Sequence, residues 1–346
     1  MMILGPAAAA VLSVCCILVF AQPSRQPEMD CAPESGWTSL GVPEVHVERS
    51  VGATKTQAIA ASWAHERTLY AGGWRGLYVS HDCGNSWAEL TPIRVDGRTH
   101  ANQGAEVLAV GPGDRIYLGS PPPRPFVISD DGGETWRSAS GDAPLVLVAP
   151  SDSSIAYRFV RTRWKPLFQV TRDAGRTWEA LDAQFPTHIV DRRLIIDPSN
   201  SETLYLFGAD DAWRSLNSGL TFTEYTRYSR GSGLDQAGIS ISVSRDGSRL
   251  WLTSRDDGPL RLSRDLGRTW QDVGSVPGGD YVTQVSASPH DNRVVYVVTE
   301  RGDLWAYREP VTAPAQIPDR QINGVGHLRE CGYTDQYNRT GIDVGA

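Results

Sequence analysis

One eight-residue pattern recurs five times along the chain: Ser80 to Trp87 (SHDCGNSW), Ser129 to Trp136 (SDDGGETW), Thr171 to Trp178 (TRDAGRTW), Ser215 to Phe222 (SLNSGLTF) and Ser263 to Trp270 (SRDLGRTW). Its Asp or Asn stands at 82, 131, 173, 217 and 265, giving spacings of 49, 42, 44 and 48 residues. A period of this length is one supersecondary unit that cannot bury its apolar face alone, so the units must pack against one another. The pattern reads as a hairpin turn. The Asx side chain accepts from backbone N–H groups ahead of it, Gly takes φ > 0, and the Ser/Thr hydroxyls tie the two arms. The closing aromatic begins the next strand and packs between sheets.

A second element lies upstream in the period: Asp197-Pro198-Ser199-Asn200, Ser288-Pro289-His290-Asp291 and Ala149-Pro150-Ser151-Asp152, each ahead of a β-branched or aromatic run. Turn residues followed by such a run mark a hairpin. Each period therefore holds four strands, a to d, with the Pro/Asp turn joining a to b and the box joining c to d. Strands a to c recur once more without a box, at Tyr281–Ala287, Arg293–Thr299 and Asp303–Tyr307. The missing fourth strand is expected at the other end, because Gly36-Trp37-Thr38-Ser39-Leu40 resembles the Trp-led d strands at 86–90 and 269–273. Closing a ring this way removes the open sheet edge. The expected fold is all-β, a six-bladed β-propeller of four-stranded antiparallel blades with Asp-box hairpins, closed by an N-terminal strand.

The five boxes and the upstream turns resemble the Asp-box (BNR) propeller families, which include sialidases, sortilin-type receptors and photosystem II assembly factors. The resemblance covers Trp37 to Glu309. In those families the boxes are structural turns remote from the active site, which implies a structural role for Asp82, Asp131, Asp173, Asn217 and Asp265. Box four departs from the pattern with Asn217 and Phe222, both of which keep the turn chemistry.

Strand alternation places the a–b turns and the boxes on one face and the b–c and d–a loops on the other, where function is expected. The candidate ligand-binding residues of that second face are Trp74, Arg75, Arg94, Arg161, Arg163, Trp164, Lys165, Arg227, Arg255 and Arg301. Guanidinium groups can grip carboxylates with paired bonds, and the indoles can stack on sugars or aromatic partners. His65, His81 and His290 fall in turns of the box face. No catalytic set, metal site or cofactor is assigned. The sialidase resemblance would need an arginine triad, for which Arg94, Arg161 and Arg255 are candidates, together with a Tyr nucleophile and a Glu partner. Its early Arg motif is replaced here by Pro92-Ile93-Arg94-Val95, after the first box rather than before it. The function expected first is an exported, non-enzymatic binding or assembly module for a protein, peptide or glycan; the alternative is a sialidase-like glycoside hydrolase acting on acidic sugars.

Residues 1–24 carry no charge, and the apolar run Ala7–Phe20 has the length of a signal-peptide core, with cleavage expected after Ala21. An uncleaved anchor, or lipidation at Cys15, would instead bring membrane contact. All three imply export to a secreted or periplasmic location. The domain organisation is then signal peptide 1–21, linker 22–36, propeller 37–309 and tail 310–346. A formal net charge of −7 lacks the positive field of non-specific nucleic-acid binding. A monomer is expected. Three cysteines survive cleavage. Cys31 and Cys331 are expected to form the disulfide, because both lie outside the repeats on segments that ring closure draws together, leaving Cys83 free.

Overall fold

The computed structural model describes residues 31–311 apart from 33, 44–55, 74–75, 91–92, 96, 101–103, 120–123, 140, 142, 161, 163–166, 187–192, 209–210, 229–239 and 254–257. The described strands form six four-stranded antiparallel sheets and one two-stranded hairpin, with no α-helix among the described residues. In chain order the innermost strands are Thr56–Ala61, Val107–Gly111, Leu145–Val148, Leu194–Asp197, Ile241–Val243 and Val282–Ala287. Each leads outward through two further strands to a fourth, so the blades form a six-bladed β-propeller. The sixth sheet takes its outer strand from the N-terminal side: Gly36–Leu40 pairs antiparallel with Leu304–Arg308, from Gly36 opposite Arg308 to Leu40 opposite Leu304. Trp37 packs on Tyr307 with ring centroids 4.9 Å apart. The sheet edge is thus closed as the Trp-led segment indicates.

The blade strands are apolar because they are buried on both faces. In Val294–Thr299 the even-numbered Val294, Tyr296 and Val298 join Ile59, Leu69 and Ala71 of blade one, whereas Val295 and Val297 join Trp251, Leu260 and Leu262 of blade five. The same alternation yields six apolar layers, one per seam between neighbouring blades. Close approach of the seams needs small residues. A Cβ on Gly72 would stand 2.4 Å from the Ala105 carbonyl oxygen of the next blade.

The cysteine pairing differs from the expectation. Cys31 is bonded to Cys83, not to Cys331, which lies outside the described residues. The physical reason is local. The segment before the closing strand crosses box one, where Cys31 is buried in the blade six–blade one layer with Cys83 and Trp87 packed against it. Its Sγ faces the Glu66 carbonyl, while the Cys83 N–H donates to the adjacent Arg67 carbonyl. The variable box position is therefore the partner rather than the spare thiol.

Candidate functional site

In each box the chain's own turn takes up the polar groups. The first hydroxyl accepts from the box glycine N–H, at 2.7 Å for Gly84 to Ser80 and 2.8 Å for Gly175 to Thr171. The same hydroxyl donates to the Asp, at 2.8 Å in both boxes. Asp Oδ1 accepts the N–H four residues on, at 2.8 Å for Ser86 and Thr177, and Oδ2 accepts that residue's hydroxyl at 2.6 Å. Asn217 reproduces this with the polarity reversed in its outer arm, its amide donating to Thr221 Oγ1 at 2.9 Å. Donated hydrogen bonds, the largest from the Ser86 and Thr177 hydroxyls, hold Asp82 and Asp173 down to about 2. These groups are anionic and already filled with donors.

The turn also contains a left-handed residue that the pattern does not announce. Cys83, Ala174, Ser218 and Leu266 have φ of 64, 63, 60 and 56°, each just before the positive-φ glycine. Four side-chain types unsuited to that region are held there by the hydroxyl and carboxylate on either side.

The a–b turns share the box face, as backbone bonds from box residues to these turns show: Ala174 to Ser154 and Ser218 to Glu202. A channel of about 210 Å³ runs between the six innermost strands, walled by Val107, Leu145, Leu194 and Ile196 with Ser240 and Gln284 opposite. Trp63 lies at its box-side end. Asp114, in the a–b turn of blade two, accepts from Ser62 Oγ and Trp63 N–H, each at 2.6 Å, and orients the indole. Trp63 Nε1 donates to the Val110 carbonyl at 2.9 Å, and the Arg245 guanidinium of blade five lies 5.5 Å from the ring centroid. An indole rooted in blade one, bonded to blade two and covered from blade five spans that mouth.

On the opposite face three of the candidate residues are described. Arg94 projects from the hairpin Ile93–Val95/Arg98–His100, exposed between the buried Ile93 and Val95 that anchor it in the blade one–blade two layer. This segment is a paired hairpin rather than a plain loop. Arg227, on the outer strand of blade four, is held by Glu224 at 2.7 Å, an interaction that raises its pKa. Arg301 is exposed in the b–c turn of blade six, its backbone N–H donating to Asp280 Oδ2 at 3.0 Å. These three stand on separate parts of the ring. Trp74, Arg75, Arg161, Arg163, Trp164, Lys165 and Arg255 lie outside the described residues. Among the described residues no group of three His, Cys, Asp or Glu side chains is placed to hold a metal ion.

Two residues of functional interest escape the sequence reading. Trp63 sits in an ordinary-looking turn. Arg158 is the single charge in the run Ala156–Val160, and that interruption of a fully buried strand is the signal by which it could have been found.

Six blades, five Asp-box hairpins and a sheet closed by the N-terminal strand define the class: the chain is a BNR/Asp-box repeat β-propeller. The BNR/Asp-box repeat signature itself matches residues 127–138, the second box and its flanks. The chain is similar to the oligoxyloglucan-reducing end-specific xyloglucanase of Emericella nidulans, 26% identical over 261 residues that cover 59% of this chain and 32% of that protein. It thus spans about a third of that relative's length. Among solved structures, YCF48 bound to D1 peptide aligns with a TM-score of 0.50 and 15% identity, covering 82% of this chain and 97% of that one. An ancestral GH74 enzyme aligns with a TM-score of 0.47 and 17% identity, over 76% and 36% of the two chains.

Proposed function

We propose that this propeller is an exported, non-enzymatic binding or assembly module that engages a protein, peptide or glycan with the loop face opposite the boxes. The observation that carries the reading is the commitment of the box face to structure. Its hydroxyls and carboxylates are saturated by their own turns, and its end of the channel is spanned by Trp63. The loop face, by contrast, presents Arg94 and Arg301 to solvent. A propeller whose structure contains a bound peptide shares this fold, in keeping with a peptide or protein partner.

The test sets the two faces against each other. Charge reversal at Arg94 and Arg301, and replacement of Arg161, Arg163 and Trp164 by Ala, should sharply lower partner capture from an extracellular or periplasmic extract while Tm stays nearly unchanged. Reversal at Arg176 on the box face should leave capture intact. Equal capture by all variants would refute the reading. Export predicts a mature chain beginning at Gln22, which N-terminal mass analysis checks.

The sequence similarity to a xyloglucanase favours a second reading, glycoside hydrolysis. Turnover of xyloglucan oligosaccharides or of a fluorogenic sialoside panel, lost on Arg→Ala changes at the loop face, would establish it over the first.

A further inference from the structure

Three of the chain's seven histidines converge at one place on the box face. His65 lies in the a–b turn of blade one, His81 in box one and His290 in the a–b turn of blade six. With Trp63, Glu66 and Arg67 they line an open pocket of about 610 Å³, and every residue of its lining belongs to the described part of the chain. The pocket stands where the ring closes. The turns that wall it join strands carrying Ile59, Leu69, Val294 and Tyr296, which pack together in the layer between blades six and one. The walls are held at both ends. Ser62 Oγ accepts the Ala64 and His65 N–H groups at 3.2 and 2.9 Å and donates to Asp114, which also fixes the Trp63 N–H. At the other end the Cys83 N–H donates to the Arg67 carbonyl and Cys31 Sγ faces that of Glu66, so the Cys31–Cys83 crosslink braces the turn.

Two of the imidazoles are oriented. His290 Nε2 lies 2.8 Å from the Ser62 carbonyl oxygen, which can only accept, so Nε2 carries the hydrogen and Nδ1 is left over. His81 Nδ1 is 3.1 Å from Thr68 Oγ1, which leaves its Nε2. Among the described residues neither remaining nitrogen has a partner, and neither has the Glu66 carboxylate or the Arg67 guanidinium. The turn of box one does not consume the site, because its bonds use Ser80, Asp82, Gly84 and Ser86 and pass over His81. The lining selects its guest. No three of its imidazole and acidic groups are placed to hold a metal ion. Glu66 and Arg67 cancel in charge, which favours neither an anion nor a cation. Six of the eight lining residues carry polar side chains, which disfavours an apolar guest. A neutral ligand rich in hydroxyls remains.

We propose that this pocket is a saccharide site, taking one neutral monosaccharide unit at the blade six–blade one seam. A sugar hydroxyl both donates and accepts, so neighbouring hydroxyls can join a carboxylate, a guanidinium and an imidazole at once. The pinned Trp63 supplies an apolar wall for the C–H face of the ring. The inference stands apart from the loop-face reading and uses none of that face's residues.

The experiment titrates the isotope-labelled full chain with methyl glucoside, methyl galactoside and methyl mannoside, and separately with phosphate, at constant pH and ionic strength, following the imidazole and indole signals. Those of His81, His290 and Trp63 should shift saturably with at least one glycoside, with a Kd of about 1 mM, the ordinary efficiency of a ligand of that size. Glu66→Ala and Arg67→Ala should each weaken binding at least about tenfold, as the loss of a hydrogen bond to a charged group does. Their Tm should stay nearly unchanged, because neither side chain is bonded within the ring. Arg94→Glu on the loop face should leave glycoside binding intact. Absence of a saturable shift in the folded parent up to about 10 mM of every glycoside overturns the proposal whether or not the variants fold. So does tighter saturation by phosphate, or glycoside binding that survives both substitutions. Glycoside binding at this pocket with partner capture untouched by the loop-face changes would refute the functional reading alone; the reverse pattern would refute this one alone.

Discussion

Breaking the Cys31–Cys83 bond offers a direct test of how the ring is fastened. The two cysteines are 52 residues apart in sequence, and a crosslink over that separation removes loop entropy from the unfolded chain worth roughly 4 kcal/mol. At about 2.1 cal/mol/K of unfolding entropy per residue, a propeller of this size should lose about 7 °C in Tm. Calorimetry of the parent with and without reductant, beside Cys31→Ala and Cys83→Ala, measures it. All three perturbations remove one crosslink and should give similar losses. Cys83→Ala keeps the left-handed position occupied by a residue with a Cβ, so it adds no backbone relief. Non-reducing peptide mapping supplies the independent check. A peptide joining Cys331 to either partner, or variants that melt within 1 °C (about 0.6 kcal/mol here) of the parent, would refute the reasoning.

Glu309 is buried between Arg249 and Arg264, and Glu309→Gln should cost about 2 kcal/mol, below the roughly 3–5 kcal/mol of a fully buried pair because Arg264 is half exposed. Burial raises the Glu309 pKa, but hydrogen bonds from Arg249 and Arg264 outweigh it and leave the value depressed. Its stabilisation is therefore complete above the ordinary carboxylate range near about 4.3 and lost as pH falls through the lower folded value; acid melts of the Gln variant should be flatter. Gly72→Ala drives a methyl group into the Ala105 backbone and should cost about 1–3 kcal/mol by urea midpoint. Asp131→Asn should destabilise less than Asp131→Ala, which should cost about 1 kcal/mol, because Asn217 already sustains a box with an amide. Equal losses for the two Asp131 variants would sink that argument.

The fold is readable where its determinants are local. The Ser-x-Asp-x-Gly-x-Ser/Thr turn closes within eight residues, so each box carries its geometry in its own sequence. The Trp-led strand Gly36–Leu40 is recognisable because it repeats its counterparts in other blades. The cysteine pairing is not readable in this way, since it depends on how a non-repeating segment crosses box one, and five cysteines admit more than one match. The left-handed residue before each glycine is also hidden, because Cys, Ala, Ser and Leu reveal nothing of φ. On the candidate binding side, Arg94 is legible as a surface cation, but its hairpin follows from Ile93 and Val95 entering a layer shared by two blades. Arg158 is harder still. Its apolar neighbours disclose burial, whereas its approach to the Phe126 ring emerges only when blade two lies alongside.

The pairing of Gly36–Leu40 with Leu304–Arg308 sets an order of events during synthesis. The strand made first is used last, waiting through some 270 residues of translation for the edge it must cover. A contact of such sequence separation is slow to form, and an uncovered blade edge is open to wrong partners meanwhile. The bond between Cys31 and Cys83 can be made as soon as blade one exists. It would tether the waiting strand beside the gap that blade six later fills, turning a whole-chain search into a local docking step.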